Sequence, residues 1–211
     1  MKHCILPAVL LCMTLLAGCT GRKVDLSNVT ESTIGVNGDG SIEEVVIEPF
    51  DKDYYSLTDL TAYVNKQVDA FNQANPQEQP KDKKSDDEEI TAISVHYVET
   101  DPDAKTAAMA LGYLNMDIYD AFNETDFEFL SMEEAPSDER IADIDGLVEV
   151  KSGEETAFKD LSEHKHLHLI CTDSSVRIQT GGKIMYYSKN VSLVDDHTVQ
   201  TSDDPSVILF K

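Results

Sequence analysis

Residues 176–188 read "VRIQTGGKIMYYS", two runs of alternating apolar and polar residues on either side of Gly181-Gly182. Successive side chains of a strand point to opposite faces, and paired glycines supply the positive φ angles of a two-residue loop, so the stretch is expected to fold as a β-hairpin. Its register would set Ile178 opposite Met185 and Val176 opposite Tyr187 on a core face, with Arg177 lying on the Tyr186 ring on the other face. A hairpin here makes the C-terminal third a sheet, and the rest of the chain is read outward from it.

On both sides of this hairpin the same period recurs. "LVEV" (147–150), "HLHLIC" (166–171), "VSLVD", "TVQT" and "SVILFK" are expected to continue an antiparallel meander, with Asp195-Asp196-His197 at one of its turns. Near the start, "STIGV" and "SIEEVVIEPF" flank Asn37-Gly38-Asp39-Gly40, a second hairpin turn. Asn37, Asp39 and Gly40 also match three positions of a calcium loop, but its first and last ligand positions fall on Gly35 and Val46, which carry no carboxylate. Two segments have helical spacing instead. Ser56 caps a helix bearing Leu57, Leu60, Val64, Val68 and Phe71 on one face, ending before Pro76. After the acidic Asp101-Pro102-Asp103, a second helix is expected with Ala107, Leu111, Leu114, Ile118 and Phe122 as its buried stripe and Tyr113 and Tyr119 at its border. Between the two helices lie the strand "ITAISVHYVE", with His96 on its polar face, and residues 76–89, which hold no large apolar residue and are expected to form a mobile acidic loop. "DFEFL" reads as a short extended piece. The expected fold is α+β: a mainly antiparallel sheet with two amphipathic helices packed on it, all within one domain spanning 32–211.

Residues 163–171, "EHKHLHLIC", place His164, His166 and His168 at alternate positions. In a strand the last two would project together while Leu167, Leu169 and Cys171 face the other way. Two histidines so placed can share a metal ion, but no third ligand is set beside them by sequence, and the leucine face is the natural core face, leaving the histidines toward solvent. Cys171, in an apolar run, reads as a small buried hydrophobe. No phosphate-binding loop, dinucleotide fingerprint, zinc-protease helix or nucleophile elbow occurs in the sequence. No catalytic, cofactor or metal residue is assigned.

The N-terminus carries the most specific signal. Met1-Lys2-His3 is basic, and the apolar run from Cys4 to Leu16 would span roughly 20 Å as a helix, short of the ~30 Å core of a bilayer. It reads as a secretion signal rather than a membrane span. The end of that run, "LLAGC", resembles the lipobox of bacterial lipoproteins. The resemblance implies cleavage of a signal peptide 1–18, acylation of Cys19 and a polar tether over 19–31. Cys4 and Cys12 would leave with the signal and Cys19 would be consumed, so Cys171 alone would remain and no internal disulfide could form. The pieces "EPFDKDYYSLTDLTAYVNKQVDAFN", "MDIYDAFN", "GGKIMYYSKNVSLVDDHTVQT" and "VILFK" further resemble a group of small, uncharacterised lipoproteins of Gram-positive, clostridia-like bacteria, a resemblance that transfers no catalytic residue.

Charge bounds the partners. With 17 Lys and Arg against 40 Asp and Glu, the net charge of −23 repels nucleic acid and anionic headgroups, so the membrane would be met through the Cys19 lipid alone. A two-lobed solute-capture protein usually needs a longer chain. The expected function is that of a lipid-anchored extracytoplasmic lipoprotein of the cell membrane, acting as a non-enzymatic binding or accessory module toward an unidentified protein or cell-wall partner. The alternative is a metal-assisted hydrolase built on the His166/His168 strand.

Overall fold

Every residue of Ser206–Phe210 is buried, and alternate side chains of this strand enter two different cores. A strand with no polar face must be covered on both sides, and that requirement organises a computed structural model of the chain, which describes residues 23–79, 89–135, 141, 144 and 146–211. In chain order the elements are β1 Thr33–Val36, β2 Ile42–Pro49, α1 Leu57–Ala74, β3 Ile93–Asp101, β4 Thr106–Tyr113, α2 Met116–Asn123 and β5 Glu128–Ser131. They continue with β6 Leu147–Glu149, β7 Glu155–Thr156, β8 His168–Thr172, β9 Arg177–Thr180, β10 Ile184–Ser188, β11 Ser192–Leu193, β12 Thr198–Gln200 and β13 Ser206–Phe210. The strands form two sheets, ordered β11-β12-β9-β1-β2-β4-β3 and β5-β8-β13-β10-β6-β7. Pairing is antiparallel throughout except between β1 and β9. The fold is α+β and dominated by antiparallel sheet.

The main core lies between the sheets. Ile34, Val36, Ile42, Ile178 and Val199 of the first meet Ile170, Ile184, Ile208 and Phe210 of the second, joined by Val64 and Val68 of α1 and Met116 and Tyr119 of α2. Behind the second sheet, Leu147, Leu161, Leu167, Leu169, Cys171, Val207 and Leu209 form another core. A small third cluster of Leu26, Val45 and Ala110 sits on the outer face of the first sheet.

Local chemistry explains the first elements. Around the β1–β2 turn Gly40 N–H donates to the Asn37 carbonyl, and the Asp39 carboxylate accepts from both the backbone and the hydroxyl of Ser41. The Ser56 hydroxyl accepts from Asp59 N–H and caps α1, as its sequence predicts. Helix α1 is held to the edge of the first sheet by the Asn72 side chain, which both donates to and accepts from the backbone of Ile93 at 2.8 Å.

Three expectations are corrected. The hairpin at Gly181-Gly182 does not form, because β9 belongs to the first sheet and β10 to the second; Ile178 pairs with Ile34 and Val199, and Tyr186 with Leu209 and Glu149. The glycines instead make a crossover. A Cβ on Gly182 would lie 1.4 Å from the carbonyl oxygen of Lys211, so the C-terminal backbone occupies the space a side chain would need. The C-terminal meander is likewise divided: β11, β12 and β9 lie in one sheet, and β8, β10 and β13 in the other. The second helix is shorter than its spacing predicts. Its first half is β4, paired with β2 and β3 along its whole length, and Ala107 and Leu111 are strand residues. The acidic residues taken as a helix start form the β3–β4 turn, where the Asp101 carboxylate accepts from Asp103 and Ala104 N–H. Helical propensity of the alanines yields to ladder partners on both sides. Helix α2 begins only at Met116, capped by the Asn115 side chain, and carries Ile118 and Phe122 of the expected stripe.

The described part of the expected tether is packed on the domain. Val24 N–H donates to the Asn37 side chain, Leu26 is buried on the outer face of the first sheet, and Glu31 pairs with Arg177. Of the expected loop, 80–88 lie outside the described residues; at its edges the Gln79 side chain bonds both backbone groups of Ile90. No helix among the described residues is long and apolar enough to cross a membrane.

The docked segment makes a test. A Cβ on Gly35 would stand 2.6 Å from a methyl of Val24. Gly35→Ala is therefore expected to destabilise the domain by about 1–3 kcal/mol in denaturant titration, with much of the loss recovered in Val24→Ala/Gly35→Ala. Additive effects of the two changes would show that residue 24 does not rest on β1.

Candidate functional site

In β2, "IEEVVIEP", apolar residues occupy both phases of the alternation, so both faces are covered and one glutamate must point inward. That residue is Glu44, on the face shared with Ile42. The Tyr113 hydroxyl, from β4, donates to its Oε2 at 2.6 Å and the Tyr119 hydroxyl, from α2, to its Oε1 at 3.2 Å. Asn123 donates to the Tyr113 oxygen at 3.3 Å, and the two tyrosine rings meet edge to face with centroids 5.0 Å apart. Phe122 and Phe127 pack against this pair. Burial pushes the Glu44 carboxyl above its ordinary range, partly offset by the two phenols. Burial, then the neighbouring Glu44 charge, pushes both tyrosines well above theirs. Each phenol thus stays a donor, and the carboxylate clamps α2 to the sheet. The carboxylate's partners among the described residues are two phenols held neutral by burial, an arrangement suited to holding structure.

The histidines are not arranged as their spacing predicts. The strand begins only at His168, and His166 lies in the preceding turn, exposed, with its ring 6.0 Å from that of His164. His168 does not face open solvent. Its ring stacks on Phe129 at 5.4 Å and lies 5.6 Å from Phe210, at the margin of the core that Ile170 enters from the same strand face. Burial lowers its pKa. Among the described residues no group of three His, Cys, Asp or Glu converges as a metal site. His164 packs edge-on against Tyr186, the ring expected to lie under Arg177. His96 sits at a bulge in β3 and meets Glu43 at 2.8 Å on the outer face. Cys171 is fully buried in the core behind the second sheet, as its apolar surroundings predict. Cys19 lies outside the described residues.

The Asp195-Asp196-His197 turn borders a polar cavity of about 330 Å³ together with Lys23 and Gln179. Its groups are largely committed: Asp195 accepts from His197 N–H, Asp196 pairs with Lys183, and His197 Nδ1 meets the Thr180 carbonyl at 3.2 Å. Among the described residues, the Gln179 Oε1 is the one buried side-chain oxygen or nitrogen with no hydrogen-bond partner. Comparison with protein-family models, curated proteins and solved structures finds no match.

Glu44 provides a pH test. A carboxyl whose folded pKa lies above its unfolded value binds more protons folded than unfolded between the two, so its contribution to stability falls as pH rises through that window. Glu44→Gln is thus expected to gain stability relative to the native chain as pH rises above the ordinary carboxylate range, while Glu44→Ala, leaving two phenols without their acceptor, loses about 2–3 kcal/mol. A pH-independent difference for the glutamine variant would contradict the buried-carboxylate account. For the histidines, thermal unfolding near neutral pH should show a loss of about 1–2 kcal/mol for His168→Ala from its ring contacts and less than about 0.5 for His166→Ala; equal effects would contradict the packing described.

Proposed function

We propose that the chain is a lipoprotein of the bacterial cell membrane, acylated at Cys19 and exposed on the extracytoplasmic face, whose domain is a non-enzymatic binding or accessory module. The observation that carries this reading is the short apolar run ending in "LLAGC". Two acyl chains on Cys19 would anchor stably where one would not. The packing of Val24 and Leu26 bears on how the anchor would work. Only residues 19–23 would separate lipid from domain, a leash of at most about 18 Å, so the domain would ride close to the bilayer rather than on a long stalk.

Action by contact is supported by where the chemistry-bearing side chains go. Glu44 is held by two tyrosines, His168 by two phenylalanine rings, and Cys171 by the apolar core. These groups serve the fold, which leaves the surface to serve a protein or cell-wall partner. Nucleic acid and anionic lipid are disfavoured by the net charge of −23.

Fractionation tests the anchor. Cys19→Ala should move the protein from the membrane fraction to soluble or uncleaved material, and the purified native protein should carry acyl mass on residue 19. A free thiol on residue 19 of a processed chain would contradict the lipoprotein reading.

A further inference from the structure

The two ends of the first sheet differ in chemistry. At one end, the β1–β2 turn receives Val24, so the chain leading from Cys19 enters there. The other end, a length of β2 or about 25 Å away, holds Phe50, which donates its N–H to Lys105 in the β3–β4 turn. Here Tyr54 is 79% exposed and Tyr55 42%. Phe50, Tyr55 and Tyr54 form a ladder of rings, each successive pair with centroids 5.0 Å apart. Clustered exposed rings with hydroxyl tips of this kind are suited to making contacts. The rim is acidic: Asp51, Asp53, Asp101 and Asp103 against Lys52 and Lys105. Lys52 is engaged with Asp51 at 2.8 Å in a half-exposed pair of the kind that is easily exchanged.

We propose that this patch docks a lysine- or arginine-rich segment of a partner protein, its cations lying on the Tyr54 and Tyr55 rings and pairing with Asp51 and Asp53. Aromatic faces attract cations, guanidinium planes stack on them, and carboxylates beside the rings supply the counter-charge. A second copy of this chain would bring the same acidic rim and be repelled, and a neutral sugar could donate hydroxyls to the carboxylates but would leave their charge unbalanced. The proposal rests on the contact reading and names its partner class. If Cys19 is acylated, the patch lies at the end away from the bilayer.

The test uses the full chain and a fluorescent peptide of alternating arginine and glycine, with affinity read by anisotropy over a series of salt concentrations. Tyr54→Ala/Tyr55→Ala should weaken binding about tenfold. Asp51→Asn/Asp53→Asn should weaken it and flatten its salt dependence. Asp117→Asn/Glu124→Gln, on α2 beyond the opposite end of β4, should leave it unchanged. Tyr54→Ala alone, at a residue outside the core, guards against misfolding of the double variant, and melting curves report the fold. Absence of peptide binding, equal weakening by the control pair, or binding of a chitin oligosaccharide or of a second copy in place of the peptide would overturn the proposal. The mass on residue 19 is read separately, so loss of the anchor reading and loss of this one are distinguishable.

Discussion

The double-sided burial of β13 is the constraint on which the architecture depends. Ile208 and Phe210 complete the core between the sheets, and Val207 and Leu209 complete the one behind. Each large side chain contributes about 1.5–3 kcal/mol on leaving water, so neither face of this strand is stable uncovered. The first sheet supplies one cover. The other comes from Met132, Leu161 and Leu167, drawn from the segments that follow β5 and β7. Because β10 must pair with β13 while β9 pairs with β1, the chain has to change sheets between them, and Gly181-Gly182 is where it does so.

Much of this architecture is legible from residue patterns, and the parts that are not share a cause. The Ser56 cap and the Asn37–Ser41 turn are local, and local chemistry decides them. The Gly181-Gly182 crossover is not local. The same dipeptide that closes a hairpin also lets backbone approach backbone, and only the C-terminal residue, Lys211, distinguishes the two uses. Likewise "TAAMALGY" has the composition of a helix, and only its pairing with β2 and β3 makes it a strand. Glu44 had a signal of its own: apolar residues on both phases of β2 mean that one of its glutamates must be buried. Its tyrosine partners, from β4 and α2, come together only in the fold.

The same geometry frames the functional proposal. Glu44 is held by two phenols and His168 by two phenylalanine rings, so these groups are engaged within the fold. The surface is divided instead. One end of the first sheet receives the segment leading from Cys19, and the other displays a cluster of tilted and edge-to-face aromatic rings within an acidic rim. A lipid on Cys19 would orient that difference with respect to the bilayer, since a leash of at most about 18 Å leaves the domain little freedom to turn over.

Orientation is therefore the most direct test of an anchored contact module. The lipidated protein would be reconstituted in phosphatidylcholine vesicles with an environment-sensitive fluorophore on either Lys183→Cys, in the crossover near the anchored end, or Asp53→Cys, in the aromatic patch; Cys171, fully buried, is shielded from the label. A quencher fixed to the headgroups should dim the probe at residue 183 and leave that at residue 53 bright. Equal quenching at both positions, or stronger quenching at residue 53, would contradict the account.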